Sequence, residues 1–359
     1  MSTATRPAPE AAAEPRPPVR VERRLPRYAP LGLFLIGIAL GAVLSAVTGF
    51  SVTSTVIYGV IFGTVIVYAT SRAVEGRRKA TDRLVTSLVT TAFGIAMVPL
   101  VSLVYTVLDR GLARLDGQFF TNSMFRVVGE GGGAYHAILG TLIITVLATA
   151  ISVPIGLLAA IYLVEYGAGR LKKAITFFVD VMTGIPSIVA GLFAFALFTL
   201  VFGNDVRLGI MGAIALAVLM VPVVVRSCEE VLKLVPNELR EASYALGVPK
   251  WRTVVKVVLP TAIAGLGTGI TLAVARVVGE TAPLLVTVGL ITGTNLNPFD
   301  GRMATLPVFA FYQLTQPGTQ TQAYLDRAWT AALLLIILVM ALNVVARLIS
   351  RFFAPKTGR

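Results

Sequence analysis

Two charged residues, Arg276 and Glu280, lie inside a long apolar stretch and are the strongest candidates for chemistry in this sequence. A charge at the centre of a bilayer costs at least about 2.5 kcal/mol on insertion scales, so such residues normally face a cavity or a partner. Being four residues apart, the two side chains are predicted to share one helix face and to form an ion pair. An oxyanion can compete with the carboxylate for the guanidinium, whose planar fork suits tetrahedral oxyanions. The residues alone fit either an anion path or an ion pair that only locks helix packing.

The sequence lacks the residues that other kinds of catalytic or metal-binding site would need. The chain has one cysteine, Cys228, and one histidine, His136, so it offers no disulfide and no cluster of Cys or His ligands. No Gly-Lys pair occurs, so the chain carries no P-loop for ATP. We therefore predict no catalytic residue and no metal site, and we interpret His136 as a polar residue at the start of a helix.

The composition indicates which elements must position Arg276 and Glu280. Hydrophobic residues make up 56% of the 359 residues and charged residues only 14%, against about 25% charged in a typical soluble domain. Eight apolar runs each approach the ~20 residues that a helix needs to span a bilayer. The runs are approximately 31–50, 52–70, 84–108, 138–164, 174–202, 208–225, 259–290 and 328–349. The sequence therefore predicts an all-α, polytopic integral membrane protein with about eight transmembrane helices.

The pattern divides the chain into three parts. Residues 1–28 are rich in Pro, Ala, Arg and Glu and are predicted to form a disordered, basic cytoplasmic tail. Residues 29–83 are predicted to form a two-helix transmembrane hairpin and a loop, and residues 84–359 the main transmembrane domain. The fifth and seventh runs are longer than one straight span, and Pro186 and Pro283 predict a break in each.

The positive charges predict the orientation. With the N-terminus in the cytoplasm, 24 of the 31 Lys and Arg residues fall in the tail, the inner loops and the C-terminus, as the positive-inside rule expects. Arg276 falls inside a span, and Arg327 is assigned to an outer loop. This distribution accounts for the net charge of +13 without a nucleic-acid partner, because no basic soluble module with groove-reading residues is present. Both termini are expected in the cytoplasm.

The inner loop between the sixth and seventh runs, residues 227–260, is the most informative stretch. Pro236 and Gly247 are predicted to mark the start and end of one short helix, and Pro249 to open a second. An apolar stripe on the first helix consists of Leu239, Ala242 and Leu246. An exposed amphipathic bend of this kind needs a partner groove or the membrane surface. We call residues 237–260 the elbow.

The elbow carries a motif that resembles the EAA loop of ABC-transporter permeases. The matching residues are Glu241, Ala242, Ser243, Gly247, Leu259 and Pro260. Ser243 replaces the second alanine of the family pattern. The resemblance implies the fold of a type I ABC importer permease, with six core helices plus the N-terminal hairpin. It also implies that the elbow docks into a cleft of a separate ATPase, where Glu241 pairs with a basic group and Gly247 permits the turn.

The segment around Arg276 narrows the resemblance. Arg-x-x-Gly-Glu, continued as Thr-Ala-Pro-Leu-Leu, is similar to the permeases for phosphate, sulfate and molybdate, and most of all to those for phosphate. For Arg226 the resemblance implies a role in anion passage, whereas the plain interpretation is a charged anchor at the membrane surface. It further implies a homologous permease, an ATPase dimer that binds the ATP and Mg, and an extracytoplasmic phosphate-binding protein. No cofactor is expected in this chain.

Three alternatives stay open at this point. Sulfate or molybdate is a possible cargo, because Arg-x-x-Gly-Glu alone does not separate the anions. A membrane-integral enzyme would need a converging catalytic set, and the spans offer only Arg276, Glu280 and Asp180. A channel would not need an elbow for an ATPase.

Overall fold

A computed structural model describes residues 25–353 except residues 27, 50, 204 and 205. The tail predicted for residues 1–28 therefore lies almost entirely outside the described residues. Throughout the described part the regular structure is helical, with no strand. The chain divides into two compact units, Met1–Leu103 and Val104–Arg359, and each is described by itself.

The first unit is built on a hairpin of two helices. Helix α1 (Ala29–Thr48) and helix α2 (Val52–Val74) are followed by α3 (Arg77–Gly111), which continues into the second unit. The hairpin packs backbone against backbone: a Cβ atom on Gly41 would lie 2.3 Å from the amide nitrogen of Gly59. The glycines thus allow α1 and α2 to approach each other more closely than any side chain would permit.

The second unit contains the remaining helices. In chain order they are α4 (Gly117–Thr121), α5 (Tyr135–Ile161), the π-helix π1 (Tyr162–Tyr166), α6 (Gly169–Thr183), α7 (Ser187–Phe202), α8 (Gly209–Lys233), α9 (Asn237–Ala245), α10 (Lys250–Thr253), the π-helix π2 (Val254–Val258), α11 (Leu259–Val278), α12 (Ala282–Thr287), α13 (Leu306–Thr315) and α14 (Thr321–Phe353). Helices α5 and α8 pack along each other at the centre, where Ile144, Leu216 and Met220 are buried. The Cβ of Gly156 would lie 2.7 Å from Val224, so small residues set the spacing there too.

The membrane-spanning helices agree with the predicted number. Among the described residues, seven helices are long and apolar enough to cross a bilayer, and the pair α6 and α7 makes an eighth if it counts as one span. These two helices are bent by 107° at the break that contains Pro186. Proline has no amide hydrogen to donate and its ring excludes a continuous helix, so the break predicted at Pro186 is confirmed.

The second unit has two ends. Helix α8 leads into the elbow and α11 leads out of it. We call the side of the unit with the elbow the elbow end and the opposite side, where α8 begins and α11 ends, the far end. Helix α13, between α12 and α14 in the chain, has ten residues and is too short to span a bilayer. Helix α14 begins at Thr321, so Arg327 lies in a helix and not in the loop to which it was assigned.

Candidate functional site

Arg276 and Glu280 do not form the predicted ion pair. Helix α11 ends at Val278, and Gly279 caps it in a non-helical conformation. Glu280 lies in the break before α12, so the two side chains do not share one helix face. Within the described part of the chain no carboxylate lies within ion-pair distance of Arg276. The prediction failed because the break comes at Gly279, four residues before the proline to which it was attributed.

Arg276 is exposed near the far end of α11, two residues before the helix ends. Its position is 17 residues from Leu259, which corresponds to about 25 Å along a helix at 1.5 Å per residue. An exposed guanidinium at membrane depth is costly unless a cavity or another subunit covers it. The geometry therefore leaves Arg276 available to an anion or to a neighbouring chain.

Arg226 lies toward the opposite end, on α8, inside a network of four charges. It donates to Asp180 on α6, and its Nη1 atom lies 2.7 Å from Glu229 Oε2. The Nζ atom of Lys233 lies 2.7 Å from the other oxygen of Glu229. Two carboxylates therefore compensate Arg226, whereas Arg276 has no such partner in the described part of the chain. The structure does not bring Arg226 and Arg276 together.

The elbow has the predicted helix, turn and second helix. Gly247 follows α9 with φ = 71°, a left-handed conformation that favours glycine. The hydroxyl groups of Ser243 and Thr253 are buried and lie 2.8 Å apart, which fastens α9 to α10. The amide of Val248 also donates to the Ser243 carbonyl, at 3.2 Å. The Ser243 hydroxyl thus forms a hydrogen bond with Thr253 that alanine at this position could not make.

One face of the elbow is open and largely apolar. Leu246 at the turn is 84% exposed and Trp251 on α10 is 58% exposed. Glu241 and Ala242, on α9, are exposed as well. Large apolar side chains at such exposure mark an interaction surface more often than a solvated one. This face can receive a partner, with the Glu241 carboxylate beside the apolar contact.

A buried ion pair that the sequence did not reveal attaches the elbow to the rest of the unit. Arg240 on α9 donates from Nη2 (2.8 Å) and Nε (3.0 Å) to Glu165 Oε1 on π1. The two side chains are only 12% and 4% exposed. Arg240 Nη2 also donates to the Leu232 carbonyl at 3.0 Å. Because the partners are 75 residues apart, no spacing rule could have paired them.

The elbow continues directly into the helix that carries Arg276. The π-helix π2 joins α10 to α11, so Leu259 and Pro260 form the first turn of α11. Leu259 is half-buried and Pro260 is exposed. Pro260 has no amide hydrogen to donate, and the π-helix π2 directly precedes it. A displacement of the elbow therefore acts on α11, whose other end bears Arg276.

The fold matches solved importer structures. A bacterial ABC transporter for alginate, solved with its pentasaccharide-bound periplasmic protein, superposes with a TM-score of 0.54 at 15% identity, covering 78% of this chain and 97% of that one. A second alginate-importer structure gives 0.53 at 13% identity, with 76% and 96% coverage. A family model described as "Binding-protein-dependent transport system inner membrane component" matches residues 152–359. The chain therefore belongs to this family of membrane transport components.

Its curated relatives are more specific. The chain is 48% identical over 286 residues to "Phosphate transport system permease protein PstA 1" of Mycobacterium tuberculosis, covering 79% of this chain and 91% of the relative. It is 47% identical to PstA of Mycobacterium leprae, with 76% and 89% coverage. It is 38% identical to PstA of Yersinia pestis, with 78% and 92% coverage. The chain is similar to these three proteins over most of its length.

Proposed function

We propose that the chain is the transmembrane permease subunit of an ATP-driven importer for inorganic phosphate. The observation that carries the proposal is the single helix α11. It begins in the open elbow at Leu259, and near its other end it bears the exposed Arg276, which has no ion-pair partner among the described residues. The similarity to PstA permeases supports phosphate as the cargo. The chain itself breaks no covalent bond and is not an enzyme.

In this proposal the elbow converts ATPase closure into movement of the anion path. The open face with Leu246, Trp251 and Glu241 docks on the ATPase. Closure shifts α9, the Ser243–Thr253 contact passes the shift to α10, and π2 passes it to α11. Helix α11 then turns Arg276 from one side of the membrane toward the other, as alternating access requires. The phosphate oxygens bind the guanidinium during that exchange.

The partners follow from the family. A homologous, PstC-like permease completes the path around Arg276, and a PstB-like ATPase dimer binds the ATP and Mg. An extracytoplasmic, PstS-like protein delivers phosphate at the far end. No cofactor belongs to this chain. We place it in the bacterial cytoplasmic membrane as a multi-pass protein with both termini and the elbow inside, in agreement with the distribution of Lys and Arg.

Uptake measurements test the cargo and the path together. Cells that rely on this transporter should accumulate labelled phosphate, and unlabelled sulfate or molybdate should not compete. Arg276→Ala should abolish uptake while the complex still assembles. Arg72→Ala, at an exposed arginine on α2 that donates to the Tyr68 hydroxyl, should leave uptake unchanged. Normal uptake by Arg276→Ala would show that Arg276 is not part of the anion path. Competition by sulfate would show that the transporter is not specific for phosphate.

A further inference from the structure

A long groove lies between helix α3 and the hairpin of α1 and α2, within the first unit. Its deep part has a volume of about 620 Å³ and is lined by Phe34 on α1, Val60 on α2 and Ile95 on α3. Its mouth has a volume of about 410 Å³. Val67 and Arg83 line both parts, so the mouth and the deep part join into one groove.

The chemistry of the α3 wall changes in a fixed order along the helix. Charged side chains come first, from Lys79 to Arg83. Residues that carry hydroxyl groups follow on the wall, from Thr86 to Thr91, and the wall is apolar from there to Val98. Arg83 and Val98 are 15 residues apart, which corresponds to about 22 Å along a helix. One leaflet of a bilayer, with its headgroups, is about 20–22 Å thick. The wall therefore follows the charged headgroup, the glycerol esters and the acyl chains of a phospholipid over the depth of one leaflet.

Glu75 holds one cation of the mouth in a fixed position. Its carboxylate accepts hydrogen bonds from Arg83 Nε at 2.7 Å and from Arg83 Nη2 at 3.0 Å. The Ser71 hydroxyl and the Leu25 amide donate to the same carboxylate, at 2.8 and 2.9 Å. The third guanidinium nitrogen, Nη1, has no hydrogen-bond partner among the described residues. Arg83 thus retains one charged donor for an oxyanion at the mouth of the groove.

The mouth carries both signs of charge. Lys79 and Arg83 are the cations of its wall, and Glu75 and Asp82 are the anions. Glu75 is only 2% exposed in its side chain, whereas Asp82 is exposed on α3. Since the charges of the wall balance, a headgroup with a net negative charge gains little there. A zwitterionic headgroup can place its phosphate near Arg83 and Lys79 and its ammonium group near Asp82.

The deep part of the groove needs an apolar occupant. Ile95 and Val98 on α3 are 65% and 67% exposed, and Leu31 on α1 is 60% exposed. An empty gap between such side chains loses their dispersion contacts, and water in it would leave apolar surface hydrated. Acyl chains are the apolar groups that a bilayer supplies at this depth. The hydroxyl groups between the mouth and the deep part can donate to ester carbonyls.

We infer that the groove is a binding site for one molecule of phosphatidylethanolamine. Its headgroup lies between Arg83 and Asp82, and an acyl chain lies between α3 and the hairpin. The site belongs to the first unit, which the proposed function does not use, so the inference goes beyond that function and does not depend on it. It gives the N-terminal hairpin a role, because the hairpin and α3 together hold a lipid.

Native mass spectrometry of the full-length protein tests the site. The protein is purified in detergent and supplied with equal amounts of phosphatidylethanolamine and phosphatidylglycerol. We expect it to retain one phosphatidylethanolamine under activation that removes the other lipids. Equal retention of the two lipids, or preferential retention of phosphatidylglycerol, would overturn the inference.

Gly94→Phe tests whether the lipid lies in the groove. Gly94 lines the deep part, and a Cβ atom there would meet nothing within 4 Å, so a phenyl ring can occupy the space of the acyl chain without a clash. Retention of phosphatidylethanolamine should fall about tenfold. Ala92→Phe, at an exposed position of α3 that does not line the groove, is the matched control and should retain the lipid as the wild type does. Unchanged retention in Gly94→Phe would overturn the inference.

Asp82→Asn tests the headgroup and leaves the packing intact. The change removes the carboxylate that meets the ammonium group, so the ratio of retained phosphatidylethanolamine to phosphatidylglycerol should fall about tenfold, the effect of one charge-assisted hydrogen bond. Asp109→Asn, on the same helix but outside the groove, should leave that ratio unchanged. An unchanged ratio in Asp82→Asn would overturn the assignment of phosphatidylethanolamine, even if Gly94→Phe releases lipid.

Discussion

Replacing Arg240 with alanine removes one partner of the buried pair that attaches the elbow to π1. Glu165, 4% exposed, would lose its only ion-pair partner among the described residues. Breaking a buried pair on one side costs about 3–5 kcal/mol, because the other charge stays buried without compensation. The reverse change, Glu165→Ala, leaves Arg240 its bonds to the Leu232 and Val235 carbonyls. We expect it to cost less, about 1–3 kcal/mol.

The free energy of unfolding in detergent, from denaturant titration, measures both changes. The double variant should be more stable than the sum of the single effects predicts, with a coupling energy on the order of 1–3 kcal/mol. Arg252→Ala is the control and should have little effect, because Arg252 is exposed on the same elbow, where it lies over the Trp251 ring. A coupling energy near zero, or a larger cost for Glu165→Ala than for Arg240→Ala, would refute the reasoning.

Three further predictions concern the turn, the hairpin and one acidic side chain. Gly247→Val forces a β-branched residue to φ = 71° at a cost of about 1–3 kcal/mol and should reduce co-purification of the ATPase; Gly76→Val, equally strained but off the elbow, should not. Gly41→Val should separate α1 from α2 and lower the thermal midpoint, whereas Gly32→Val, with open space around it, should not. Hydrogen bonds from Arg83 lower the pKa of Glu75 to about 2, so its stabilising effect should be full above pH 4.5 and fade as the pH falls toward 2. The difference in thermal midpoint between wild type and Glu75→Gln should shrink over that range; a constant difference would contradict the assignment.

The sequence predicted the helices because apolar length is a strong signal. The runs 52–70 and 208–225 correspond to α2 and α8, and the tight hairpin follows from the short connection between the first two runs. The elbow was also predictable, since Gly247 and Pro249 act locally on the backbone. In each case the feature depends on neighbours in sequence, where periodicity and turn chemistry apply.

The ion pair that was wrongly predicted and the contacts that were missed depend on residues far apart in sequence or on where a helix ends. The Arg276–Glu280 pair required a helix through Gly279, and nothing local placed the break there rather than at Pro283. Arg327 was assigned to an outer loop because the eighth apolar run was taken to begin at residue 328, yet α14 begins earlier and the backbone carbonyls of Gly129 and Gly131 accept hydrogen bonds from the buried guanidinium. Carbonyl acceptors leave no trace in a sequence. Helix α13 has only ten residues, so its apolar stretch is too short to be recognised as a membrane span.

The position of the elbow tests the central claim most directly. Leu246→Cys, combined with Cys228→Ser to remove the buried native thiol, places one reactive group at the most exposed part of the elbow. The account predicts that a membrane-impermeant maleimide labels it only from the cytoplasmic side, that it cross-links to the ATPase, and that Val128→Cys at the far end is labelled only from outside. Labelling of Leu246→Cys from the outer side, or a complete lack of cross-linking to the ATPase, would contradict the account.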